Sequence, residues 1–105
     1  MLWTQTVGMY AVGPMAQTIA PSTPISPAAR ALGERVRSRR EALGLSQEAL
    51  AHKSRVHWTF LGQVERGRRN LNLHNLLKIA AGLGADPAEL IAGLQPPDDD
   101  GARSG

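Results

Sequence analysis

An all-α fold, a bundle of five short helices behind an irregular N-terminal arm, is what the sequence predicts. Three observations lead there. Ser26, Ser46, Asn72 and Asp86 each stand just before an apolar run, where a short polar side chain satisfies a free helix N–H. Gly44 and Gly84 each follow the last apolar residues of a run, as left-handed helix ends favour. Within the runs the apolar residues gather on one side at ~100° per residue, as Phe60, Leu61 and Val64 do.

The chain divides into residues 1–26 as an arm, 27–94 as the folded domain and 95–105 as an acidic, mobile tail. Met1 to Ser26 holds no Asp, Glu, Lys or Arg and is broken by Gly8, Gly13, Pro14, Pro21 and Pro24, so no regular element is expected in its Ser/Thr/Pro-rich end. Trp3, Tyr10 and their apolar neighbours leave three readings open: a free arm, an arm ordered on a partner or dimer mate, or a consequence of start-site choice, since Met9 and Met15 are also possible starts. The first helix begins at Ser26-Pro27, with proline at the position that needs no donor. Leu32, Val36 and Leu43 form its buried stripe, Arg40 lies at the margin, and Arg30, Arg35, Arg37 and Arg39 lie mostly outside. The second helix is capped by Ser46 and carries Glu48 in its first turn, where negative charge suits the helix dipole. Leu50 and Ala51 face inward, and Gln47 sits at the exposed N-terminus.

The third helix, Trp58–Arg66, sorts into two faces. Phe60, Leu61 and Val64 can be buried. Trp58, Thr59, Gly62, Gln63 and Arg66 share the other side and offer an indole, a hydroxyl, an amide and a guanidinium, with a glycine that admits a close surface. His57 stands at its start, within reach of a base or phosphate. A short helix presenting such groups suits the major groove of double-stranded DNA, where base edges carry donors and acceptors. Residues 46–67 therefore read as a helix-turn-helix with Trp58–Arg66 as the recognition helix. Thr59 and Gln63 are expected at base edges, and Trp58 against a thymine methyl or a sugar. Arg68, Arg69 and Asn70 follow in a loop placed to meet the sugar–phosphate backbone, which sets register without reading sequence. The fourth helix is capped by Asn72, with Leu73, Leu76, Leu77, Ala80 and Leu83 inward. The fifth starts at Asp86-Pro87-Ala88-Glu89 and is stopped by Pro96-Pro97; Leu90, Ile91 and Leu94 are its apolar residues.

Charge is consistent with a polyanionic partner. The 105 residues carry a net +3, but Ala28 to Leu94 holds eleven Lys/Arg against six Asp/Glu, a net +5, which favours steering toward nucleic acid and counterion release. There is no cysteine, which excludes disulfides and thiolate zinc sites. No run of about 18 apolar residues exists, so no membrane span is expected, and the N-terminus lacks the basic segment of a secretory signal. A cytoplasmic, nucleoid-associated protein is the expectation.

Leu32-Gly33-Glu34-Arg35-Val36-Arg37, Arg40, Gly44 through Ala51, Val64 through Asn70, Leu76-Leu77-Lys78-Ile79-Ala80 and Leu83-Gly84 resemble the phage-repressor-like (XRE/Cro/CI) helix-turn-helix family, in the family's order and over about Ala28 to Leu94. The Glu-Arg-Gly-x-Arg-Asn run followed by Leu73 looks most like controller proteins of restriction–modification systems. The resemblance implies a lambda-repressor-like bundle. It gives Gln47 a contact to the DNA backbone. It makes Arg40 and Glu65 a partly buried ion pair that keeps Glu65 from the phosphates and aims Arg40 toward them. The family usually has glycine where Arg55 stands, because the backbone there favours positive φ, so the turn is expected to be strained or reshaped. Arg55 would offset the strain by reaching a phosphate.

His52, His57 and His74 lack the spacing of a metal site, and no phosphate-binding loop, dinucleotide fingerprint or nucleophile motif is present. No cofactor, metal or enzymatic activity is expected. The leading reading is a sequence-specific transcriptional regulator that binds an operator as a homodimer, joined through Leu90, Ile91 and Leu94. The alternative is an antitoxin-like interaction module whose residues 1–26 engage a partner protein.

Overall fold

The computed structural model describes residues 23–98; the expectations for most of the arm and for the last tail residues lie outside that range. Five helices follow one another, with no strand among the described residues: α1 (Pro27–Ala42), α2 (Gln47–Ser54), α3 (Trp58–Glu65), α4 (Leu73–Leu83) and α5 (Pro87–Ile91). Each begins at a side-chain cap. Ser26, Ser46 and Asn72 accept from the backbone N–H three residues on, at 3.0, 3.0 and 2.8 Å, and Asp86 accepts from Ala88 N–H at 2.9 Å. These side chains satisfy donors that have no partner inside the helix.

Four helices end in the same way. The N–H groups of Leu45, Val56, Arg68 and Ala85 each reach back five residues, to the carbonyls of Arg40, Ala51, Gln63 and Ala80. The residue before each of these donors has positive φ: Gly44, Arg55, Gly67 and Gly84. This closure needs a left-handed residue, and glycine takes that conformation without a Cβ penalty. Arg55, at φ 59° and ψ 41°, is the one non-glycine among the described residues to do so. The turn between α2 and α3 thus keeps the backbone that glycine usually serves and carries the strain instead of relaxing. Arg55→Gly is expected to raise stability by up to ~1 kcal/mol, less the added entropy of the unfolded chain. A denaturant melt checks this, and a clear loss of stability would contradict it.

The core is built from Leu32 and Val36 of α1, Leu50 and Ala51 of α2, Leu61 and Val64 of α3, Ile79, Ala80 and Leu83 of α4, and Leu90 of α5. Phe60, Leu76 and Leu94 pack at its edge. Several expectations are corrected here. Leu43 is exposed, because α1 ends at Ala42 and Leu43 follows it as the cap residue, outside the register of the buried stripe. Leu73 and Leu77 are exposed, at 65% and 43%, while Ile79 is fully buried. The fourth helix has more apolar residues than one face can hold, and it meets α2 at Gly82, where an added Cβ would run into Ser54 and Leu50. Arg35 is not simply outside: its Nη1 donates to the carbonyls of Leu90 and Ala92 at 3.0 and 2.9 Å, tying the end of α5 to α1. The last helix stops at Ile91, with Gly93 at positive φ, ahead of Pro96-Pro97.

Residues 23–26, assigned to the arm from sequence, are joined to the loop after α3. Ile25 N–H donates to Gly67 O at 2.9 Å, and Arg68 Nη1 donates to Thr23 O. Gly67 packs against Arg30 and Pro24, so the chain entering α1 braces the chain leaving α3.

Candidate nucleic-acid interface

The α2–turn–α3 unit is held to α1 at two points. The first is Gly33, in the middle of α1. A Cβ there would stand 2.6 Å from Glu65 O and also collide with Val64 O, so α1 runs directly against the carbonyl end of α3. The second is Glu65. Its carboxylate accepts from Arg40 Nε at 2.7 Å, from Arg40 Nη2 at 3.0 Å and from Gln47 Nε2 at 3.0 Å. Arg40 Nη1 donates to Leu45 O at 2.8 Å. The two charged side chains are 11% and 3% exposed. The hydrogen bonding that Arg40 gives to Glu65 raises the Arg40 pKa above its ordinary value, more than burial lowers it. One cluster thereby links α1, the start of α2 and the end of α3.

Arg40 and Glu65 stand as the expected ion pair. Nε and both terminal nitrogens of Arg40 bond inside the domain, so the guanidinium ties the helices together. Gln47 is also partly committed. Its side chain crosses Gly62, whose missing Cβ would lie 3.6 Å from Gln47 Oε1 and 3.4 Å from Arg66 Nη1. Gly62 therefore seats the glutamine and the arginine on the surface of α3, and its place on the outer face is explained by that packing. Gln47 Oε1 remains over this surface while Nε2 is bound to Glu65.

The outer side of α3 presents Trp58, Thr59 and Arg66 as exposed residues, with Gln63 half-buried. His57 is exposed and caps the helix, because its Nδ1 accepts from Thr59 N–H at 3.1 Å. The neutral ring must then carry its proton on Nε2, which makes that nitrogen a donor. The rings of His57 and Trp58 stack with centroids 6.2 Å apart and 22° between planes. Beyond α3, Arg69 and Asn70 are exposed and Arg68 is half-buried. Arg68 is bound to the Thr23 carbonyl and Arg69 to Gln63. The structure thus brings Gln47, His57, Trp58, Thr59, Gln63, Arg66 and Arg69 to the α2–α3 unit and its adjoining loop, and takes Arg40 and Glu65 beneath them. His52 and His74 are exposed on α2 and α4.

Sequence reasoning missed three parts of this arrangement. Gly33 is the first: a glycine inside a helix costs ~1 kcal/mol relative to alanine and so calls for a reason, which only the packing supplies. The His57 cap had no signal stronger than its position. The Arg69–Gln63 pair joins two elements and has no helical spacing to announce it. The expected interface residues also separate. Leu90 is fully buried in the domain core, because α5 is short and lies against α1 and α4. Ile91 is 44% exposed and Leu94 is half-buried.

The helix-turn-helix family HTH_3 matches residues 36–90. Control protein C.BamHI of Bacillus amyloliquefaciens is 40% identical over 60 residues, which span 56% of this chain and 74% of that protein. Among solved structures, the restriction-modification controller protein C.AhdI from Aeromonas hydrophila is 47% identical with a TM-score of 0.58, over 59% of this chain and 94% of that one. The P22 c2 repressor protein in complex with a synthetic operator is 35% identical with a TM-score of 0.56, again over 59% and 94%. The five-helix arrangement is therefore similar to that of lambda-repressor-like proteins.

Proposed function

The chain belongs to the phage-repressor-like helix-turn-helix family of DNA-binding transcriptional regulators, and on that premise we propose that it works as a homodimer on an inverted-repeat operator, as a restriction–modification controller. The outer face of α3 meets base edges in the major groove through Thr59 and Gln63, with Trp58 against a thymine methyl or a sugar. Gln47, His57, Arg66 and Asn70 lie at the flanking backbone, with Arg69 beside Gln63. Phosphate contacts of this kind set the register, and the base contacts set the sequence.

One observation carries the dimer: apolar surface on α4 and α5 that the single domain leaves bare. Leu73, Leu77 and Ile91 are exposed, and Ile91 and Leu94 line an apolar groove with Ile25, Leu71 and Leu76. A bundle of this size without disulfides or metal gains from an added apolar interface. One recognition helix reads only a few base pairs, too few to single out a site in a genome. With Leu90 in the core, the interface in this reading consists of Ile91 and Leu94 together with Leu73 and Leu77.

The test combines sedimentation with operator titration. Leu77→Asp with Ile91→Asp is expected to yield a monomer that keeps its helical signal and binds operator at least about tenfold more weakly, since a two-fold complex needs both subunits. Leu43→Asp, an equal change at the exposed leucine that follows α1, is expected to leave both properties alone. A dimer unchanged by the pair of substitutions would move the interface elsewhere.

A further inference from the structure

The residue that limits what Gln63 can read lies outside α3. Arg69, in the loop that follows, donates from Nε to Gln63 Oε1 at 2.6 Å. Its guanidinium carbon lies 5.3 Å from the centroid of the Phe60 ring, a cation–π distance. Phe60 packs against the core, and it stands three residues before Gln63 on the same helix, so the two are surface neighbours. The guanidinium is therefore held at two points, by a ring rooted in the core and by an amide oxygen. Arginine has no acceptor, so the atom of Gln63 that faces it is the oxygen, whichever way the amide is drawn. Nε2 of Gln63 is left as two donors with no partner among the described residues.

Base edges differ in what they offer such a group. Adenine shows an N7 acceptor beside an N6 donor, and an unencumbered glutamine meets it with both ends of its amide. Guanine shows two acceptors, N7 and O6. We propose that Arg69 is a specificity-determining residue: by taking one of the two acceptor positions of Oε1 and holding that oxygen toward the loop, it leaves Nε2 as the leading group of Gln63 toward a base, which favours guanine over adenine. The proposal rests on the reading that the outer face of α3 meets base edges. It also separates Arg69 from a simple backbone contact, whose loss would weaken all sequences alike.

The experiment is selection of bound duplexes from random DNA by the full chain, in parallel with Gln63→Ala, Arg69→Ala and Phe60→Leu. Gln63→Ala identifies the operator position that depends on the amide. At that position the wild type is expected to take guanine. Arg69→Ala is expected to shift the guanine-to-adenine ratio toward adenine on the order of tenfold, and Phe60→Leu to shift it the same way by less, because the guanidinium loses its platform. Adenine at that position in the wild type overturns the proposal. So does an unchanged guanine preference in Arg69→Ala accompanied by a uniform loss of affinity. If Gln63→Ala alters no position, the base-reading premise itself has failed, and that variant alone reveals it.

Discussion

Replacing Glu65 by alanine will cost the domain about 3–5 kcal/mol, the usual loss when one partner of a buried pair is removed. The variant leaves the Arg40 side chain, 11% exposed, without the carboxylate that two of its nitrogens bind. It also releases Gln47 Nε2. Small domains have only about 5–15 kcal/mol in total, so a loss of this size will leave much of the protein unfolded under mild heating. The double variant Arg40→Met with Glu65→Leu should recover most of the loss, because two apolar side chains of similar volume avoid the desolvation that the ion pair has to offset. Denaturant melts of the three proteins decide the matter. A loss below about 1 kcal/mol for Glu65→Ala would place the pair with exposed ion pairs, which contribute little.

Gly33→Ala is the second large effect, and its sign opposes helix propensity. Alanine would favour the interior of α1 by about 1 kcal/mol. The added Cβ, however, meets the backbone carbonyls of Val64 and Glu65, and neither can rotate away as a side chain would. Overpacking of this kind costs about 1–3 kcal/mol and occasionally more. Because the obstacle is backbone, the upper part of that range is expected, with a net loss of about 2 kcal/mol. For a domain of this size that lowers Tm by roughly 8–16 °C. The relief available is to push α3 away from α1, so operator affinity should fall together with stability. Ser38→Ala, at an exposed position of the same helix, is the control and should be neutral or slightly stabilising. A Gly33→Ala protein as stable as wild type would mean that α1 and α3 are not in close contact.

The elements most legible in the sequence were those set by local chemistry. Ser26, Ser46, Asn72 and Asp86 each cap a helix because a short acceptor beside a free N–H works whatever the tertiary context. Gly44 and Gly84 end helices for an equally local reason. The left-handed backbone at Arg55 was suggested by a family resemblance, and the five-residue closure to Ala51 gives it a physical cause. What depended on packing was less legible. Apolar residues crowd the fourth helix, so periodicity could not choose between Leu77 and Ile79 for the core. Leu90 and Ile91 are adjacent in a five-residue helix, where no periodicity develops to separate the buried one from the exposed one. The candidate interface divides in the same way. Its outer face on α3 follows from spacing at 100° per residue, whereas the Arg69–Gln63 bond and the burial of Arg40 depend on how a loop and a neighbouring helix come back to meet it.

The central claim is that two copies of α3 read an inverted repeat in the major groove. It is tested most directly by selecting bound duplexes from random DNA with the wild-type protein and reading the recovered sequences for symmetry. Two inverted half-sites are expected, with centres about 34 Å apart, roughly one helical turn on one face of the duplex. Recovery of a single unrepeated site, or of no enriched sequence at all, would contradict it.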